Sequence, residues 1–178
     1  MKNCDVAIFL VHSMLPSSRL FQGNFQDTDL MLADNFARAC VKNNLKQIIY
    51  LGGLVPTSVI SKHLASRKEV EDVFRSTGIP LTILRAGMVV GNGGSSFEIL
   101  KNLVLNLPFM ILPEWTKITG QAIFLEDLTS VIGESIGNEK YFIKKIDVDN
   151  GEKISYKELM NLMSEGLARK TIMFSVIN

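Results

Sequence analysis

Residues 61 to 91 read SKHLASRKEVEDVFRSTGIPLTILRAGMVVG, a charged helix feeding a buried strand that ends at Arg85-Ala86-Gly87. Val70, Val73 and Phe74 recur at helical spacing as the buried stripe. Thr77-Gly78 is the expected stop, and Pro80 leads into the apolar run from Leu81 to Arg85. His63 and Arg67 stand four residues apart, so they share one face of the helix about one turn from each other. A group that titrates near neutrality beside a fixed cation is a plausible acid/base centre. The same spacing arises on any solvated helix. Lys62, Lys68, Glu69, Glu71, Asp72 and Arg75 make this one richly charged, and its acids read as solvated rather than catalytic.

Upstream, Asp5 to Val11 is continuously apolar after its first residue and lacks period-two alternation. That is the pattern of a central strand in a parallel sheet covered on both faces, ending at His12-Ser13-Met14. Pro16 to Gln26 is polar and rich in turn formers. Ala33, Phe36, Ala37, Cys40 and Val41 then mark a crossover helix between Asp27 and Asn44. Gln47 to Leu51 is a second short buried strand, halted by Gly52-Gly53 and then Pro56. Three strands alternating with two helices predict an α/β protein with right-handed parallel crossovers.

Downstream, Ser95 or Ser96 is the expected cap of a helix reaching about Leu107, and Leu112 to Trp115 reads as irregular. A short strand at Ala122 to Phe124 precedes a helix opening at Glu126-Asp127, where acids suit the positive end of the helix dipole. Tyr141 to Val148 reads as a strand and Asn150-Gly151 as a turn. Ser155 is placed to cap a final amphipathic helix through about Leu167.

A chain of 178 residues, 47% hydrophobic and 21% charged, fits a single globular domain with a substantial core. The 19 basic residues against 18 acids give no argument for nucleic acid or an anionic membrane, which leaves small molecules or proteins as partners. Cys4 and Cys40 form no Cys-x-x-Cys and lie in apolar surroundings, so free thiols in a reducing cytoplasm are expected. His12 and His63 are not spaced with a cysteine as ligands, and no metal site is expected. Lys2 followed by Val6 to Val11 has no small-x-small cleavage pattern behind it, and no apolar run approaches a membrane span.

Gly91-Asn92-Gly93-Gly94-Ser95-Ser96 follows a strand and opens a helix, an imperfect G-x-G-x-x-G with serine in the third glycine's place. A loop that tolerates left-handed backbone is the expected reading over a phosphate cradle. No G-x-S-x-G, Walker lysine loop or H-E-x-x-H occurs. What remains is positional. His12-Ser13, Gly52-Gly53 and Arg85-Ala86-Gly87 all lie at carboxyl ends of expected parallel strands, the edge where open α/β sheets bind ligands.

These segments resemble the short-chain dehydrogenase/reductase superfamily, in its extended or atypical branch of epimerase-like and NmrA-like proteins. Asp5-Val-Ala-Ile-Phe-Leu-Val-His-Ser is similar to the family's fourth strand, Lys46-Gln-Ile-Ile-Tyr-Leu-Gly-Gly-Leu to the fifth, and Gly78 to Gly91 to the sixth with its loop. Gln121 to Leu128 and Asp149 to Leu159 resemble downstream elements. The resemblance implies a partial doubly wound Rossmann-type parallel sheet with helices on both faces. It would form one domain over residues 1–178, with a core at about 4–91 and substrate-side elements at about 92–178.

The resemblance also implies an NAD or NADP site. Val11, His12, Ser13, Leu51, Gly52 and Gly53 would line the nicotinamide half, with Ala86, Gly87 and Met88 at its carboxamide. Aligning Glu71 and Arg85 with family positions places His63 where the family has its catalytic tyrosine and Arg67 where it has the lysine. His63 would then be the acid/base and Arg67 the ribose clamp. The chain opens at what resembles the fourth strand, without the Gly-rich loop that holds the cofactor's pyrophosphate, so binding by this chain alone loses the main anion site. The expected partners are a dinucleotide and a small molecule of unknown class. Self-association through an exposed Val6–Val11 strand edge, or pairing there with a separate amino-terminal piece, is also expected. The rival readings are a non-enzymatic dinucleotide sensor or protein-interaction module, and an inactive remnant.

Overall fold

The computed structural model describes residues 2–11, 25–54, 62–91 and 93–175, except the side chains of residues 25–27, 62–66, 95 and 96. In chain order the elements are β1 (Val6–Phe9), α1 (Phe25–Lys42), β2 (Gln47–Gly53), α2 (Lys62–Ser76), β3 (Leu81–Ala86), β4 (Met88–Val90) and α3 (Ser95–Asn106). There follow β5 (Phe109–Leu112), β6 (Thr119–Phe124), α4 (Leu125–Ser135), β7 (Lys144–Val148), β8 (Lys153–Ser155), α5 (Tyr156–Gly166) and β9 (Ile172–Ser175). They fall into two compact units, Met1–Arg85 with Ser130–Asp147, and Ala86–Thr129 with Val148–Asn178.

In the first unit four strands form one sheet in the order β1-β2-β3-β7, with β1 and β2 parallel. Successive residues of β2 face opposite sides of the sheet. Ile48 and Tyr50 pack with Phe9, Leu81 and Ile83 against Ala33, Ala37 and Cys40 of α1 and Val70 and Phe74 of α2. On the other side Gln47, fully buried, is satisfied completely. Its amide donates to Thr82 Oγ1 (3.0 Å) and to the carbonyl of Ser135 in α4 (2.8 Å), and its oxygen accepts from Gly137 N (2.8 Å). Helices therefore lie on both faces, as the doubly wound pattern requires. Thr77 Oγ1 donates to Phe74 O and Gly78 takes a φ of 71°, the expected stop of α2.

β1 departs from the expected central strand. It ends at Phe9 and stands last in the described strand order, and Leu10 and Val11 beyond it are exposed. β2 continues through Gly52-Gly53 rather than halting before them. The strand expected from Tyr141 begins only at Lys144. Glu139–Tyr141 make a helical turn capped by Asn138, and Ile143 takes a φ of 57°, which interrupts extended backbone.

In the second unit β6 pairs with β4 in parallel and with β8 antiparallel, while β5 and β9 pair in parallel. Leu100 and Val104 of α3 pack with Met110, Leu112 and with Leu159, Met160 and Met163 of α5. Ser155 caps α5 as expected, in a reciprocal box with Glu158. The cap of α3 is Gly94 rather than a serine, and the segment Leu112 to Trp115, expected to be irregular, takes in the last residue of β5 and the start of a short helical turn at Glu114–Lys117.

Gly91 is fixed by close approach: a Cβ built there would stand 2.7 Å from the Cβ of Leu125. Gly91→Ala should therefore cost about 1–3 kcal/mol through overpacking. Adding Leu125→Ala should recover part of that loss in a urea-unfolding double-mutant cycle. Strict additivity of the two losses would show that the contact does not set the residue.

Candidate functional site

α2 carries positions 63, 67, 71 and 75 at successive turns, so one stripe of the helix holds the expected catalytic pair and two further charges. Glu71 anchors that stripe. Its carboxylate is 2% exposed and receives a bidentate pair from Arg85 of β3, Nε to Oε1 and a terminal nitrogen to Oε2, both at 2.9 Å. This overturns the solvated reading of Glu71. A strand arginine opposite the helix turns a surface-type acid into a buried, hydrogen-bonded one, and the hydrogen bond to Glu71 holds the Arg85 guanidinium above its ordinary pKa.

One turn earlier Arg67 is half-buried, and it makes no hydrogen bond or ion pair with any described residue. Its charge reaches the hydroxyl of Tyr50, a residue only 3% exposed, where it works against desolvation. Desolvation wins: burial, with Glu71 and Asp29 adding to it, pushes the Tyr50 phenol up to about 12. Tyr50 thus stays protonated at neutral pH and is unsuited to the proton transfer assigned to His63 and Arg67.

The unfolded phenol releases its proton near 10.0 and the folded one near about 12, so Tyr50 stabilises fully below pH 10. That contribution is lost as pH rises from 10 to 12. The loss should reach roughly 2 kcal/mol at the top of the window, and Tyr50→Phe should flatten the fall. Urea unfolding at stepped alkaline pH checks this, and an unchanged slope in the variant would refute it.

Gly52 is buried at the end of β2, but a Cβ there would meet the Tyr50 ring at 3.2 Å. The protein's own Tyr50 ring therefore packs close beside the bare backbone at Gly52. Leu51 is partly exposed and Gly53 buried beside it. Val11 is exposed past the end of β1. His12 and Ser13 lie outside the described residues. His63 falls on α2 one turn before Arg67, but its side chain is not among those described. Ala86, Gly87 and Met88 follow Arg85 directly and belong to the second unit, Ala86 buried and Gly87 exposed.

Position and spacing in the sequence pointed to His63 and Arg67 but passed over Tyr50 and the Glu71–Arg85 pair. A signal for Glu71 was present: it adjoins Val70 and sits three residues before Phe74, both in the buried stripe. Among the described residues no cluster of His, Cys, Asp and Glu could hold a metal, and no helix is long and apolar enough to cross a membrane.

No family model matches the sequence. Over 53 residues the chain is 36% identical to the auxiliary protein GraX of Staphylococcus aureus, a stretch that covers 30% of this chain and 17% of that protein. Solved structures match almost all of it. The UDP-glucuronic acid 4-epimerase of Bacillus cereus in complex with NAD gives a TM-score of 0.78 at 14% identity, covering 98% of this chain and 63% of its own. The UDP-glucose 4-epimerase of Thermotoga maritima gives 0.77 at 12% identity, covering 97% and 64%. A dTDP-glucose 4,6-dehydratase of Streptomyces venezuelae with NAD bound gives 0.77 at 13%, covering 98% and 61%. The chain therefore shares the Rossmann-type fold of these sugar-nucleotide epimerases and dehydratase, and it spans a little under two thirds of the length of these structures.

Proposed function

We propose that this protein binds NAD or NADP at the edge that holds Leu51, Gly53 and Arg67, as an atypical member of the short-chain dehydrogenase/reductase type. The observation that carries the reading is Arg67. A half-buried guanidinium without a partner among the described residues is an uncommon expense for a fold, and it suits ribose hydroxyls or a phosphate oxygen. In this reading Arg67 clamps the ribose and fixes the orientation of the ring beyond it. The imidazole of His63, one turn away, holds or delivers a proton near neutral pH. When bound, the dinucleotide supplies the hydride acceptor or donor. NAD-bound structures of this fold, such as the Bacillus cereus epimerase, support the choice of ligand.

A second reading, a dinucleotide sensor without turnover, is favoured by the chemistry at the same place. His63 and Arg67 stand where a tyrosine and a lysine would serve a standard reductase, and the buried phenol of Tyr50 is held protonated to about 12. Calorimetric titration with NADH and NADPH should give saturable heat that Arg67→Gln weakens roughly tenfold, since a charge-assisted hydrogen bond is lost. Absence of heat at millimolar nucleotide would remove both readings. Where binding is seen, His63→Ala separates them, because a sensor keeps its affinity and has no turnover to lose.

A further inference from the structure

We propose that a groove at the other end of the first unit's sheet binds a small amphiphilic anion, a carboxylate or phosphate monoester carried on an apolar body. The start of β2 adjoins the start of β3, since Ile48 N donates to Pro80 O at 2.9 Å. There, beside the last turn of α2 and the first residues of β7, Arg75, Leu81, Ile83, Ile143, Lys144 and Lys145 line a cavity of about 350 Å³. This lies at the opposite end of β2 from Leu51 and Gly53 and is independent of the dinucleotide reading. Its size falls within the range of small-molecule sites.

Three features converge on it. Leu81 and Ile83 close its floor as part of the buried core, so the apolar surface it offers is chiefly that of Ile143. Ile143 is 84% exposed at φ 57°, a left-handed position that a β-branched residue occupies at a cost and that asparagine or glycine would hold more readily. That places an exposed apolar side chain beside the cavity, where a ligand's apolar body can cover it.

The third feature is charge. Glu71 Oε2 has three cations within 4 Å: Arg85 at 2.9 Å, Lys145 at 3.8 Å and Arg75 at 3.9 Å. Only Arg85 hydrogen-bonds to it. Arg75 and Lys145, which line the groove, stay at ion-pair distance from Glu71 without a hydrogen bond to it. Lys144 adds a further cation, and the local acids are Glu71 and Asp147, the latter felt at Arg85. Three cations line the groove while Glu71 is already engaged by Arg85, so the groove is net positive beside the exposed Ile143, which selects an anion with a hydrophobic body over either part alone.

Calorimetric titration of the intact chain with octyl phosphate tests this, with octanol and inorganic phosphate as the two halves of the probe. Octyl phosphate should bind with saturable heat, at least tenfold more tightly than either half. Arg75→Gln and Lys145→Gln, both at exposed side chains, should each weaken it several-fold without loss of fold by circular dichroism. Ile143→Asn, which keeps the left-handed backbone, should weaken octyl phosphate and leave inorganic phosphate unchanged. Equal affinity for octanol, indifference to both cation variants, or displacement by NADH would each overturn the assignment, the last by placing the probe at the nucleotide edge.

Discussion

Glu71→Gln is expected to lower the unfolding free energy by about 3–5 kcal/mol, because removing one partner of a buried ion pair strands the other. The stranded group is Arg85, whose side chain is 16% exposed, and Arg75 and Lys145 stand close by to add repulsion once the carboxylate is neutral. Against the stability of an ordinary domain, about 5–15 kcal/mol, that loss leaves a marginal fold. The geometry also orders two variants. Arg85→Met leaves Glu71 with two cations at 3.8 and 3.9 Å able to move in, so it should cost less than Glu71→Gln. Urea denaturation of both variants decides the matter. Equal stability of Glu71→Gln and the parent would mean that the pair is not an anchor of α2, and the support for Arg67 would fall with it.

Much of the first unit could be read before any coordinates. The 3.6-residue spacing of Val70, Val73 and Phe74, the stop at Gly78 and the apolar run after Pro80 are local signals, and α2 and β3 follow them closely. The long-range partners were not legible. Glu71 shares its helix with other charged residues, and only the fold reveals that Arg85, fourteen residues on, opposes it. β5 and β9 are four residues each and pair across some sixty residues of chain, so neither carries a periodic signal of its own. β1 shows the reverse failure. Its unbroken apolar run reads as a strand covered on both sides, yet Ile8 is 36% exposed because hydrophobicity records what a segment is suited to meet rather than what it meets. At the site, spacing placed position 63 one turn from Arg67. The charge of Arg67 acting on a buried phenol, and the Tyr50 ring filling the space beside Gly52, depend on side chains brought together by packing.

Phe74→Ala should be as damaging as the loss of Glu71, through a different force. Phe74 is fully buried and its ring meets Phe9 at 5.0 Å, Tyr50 at 5.5 Å and Phe36 at 5.9 Å, all edge-on. Its ring thus contacts β1, β2 and α1 at once, beside the packing of Val70 in the same core. Truncation removes its apolar burial and leaves a cavity bounded by three rigid rings that collapse poorly, for an expected cost of about 3–5 kcal/mol. Phe74→Leu keeps most of the volume and loses only the edge-on contacts, so it should cost about 1–2 kcal/mol. The comparison bears on the site as well as on stability. Arg67 lies on the same helix, and its position beside Tyr50 depends on α2 remaining docked. The leucine variant should keep its nucleotide heat, while the alanine variant, where it folds, should bind more weakly in proportion to the undocked fraction. If Phe74→Ala costs less than about 1 kcal/mol, the aromatic cluster is not what docks α2, and the Glu71–Arg85 pair must hold the helix alone.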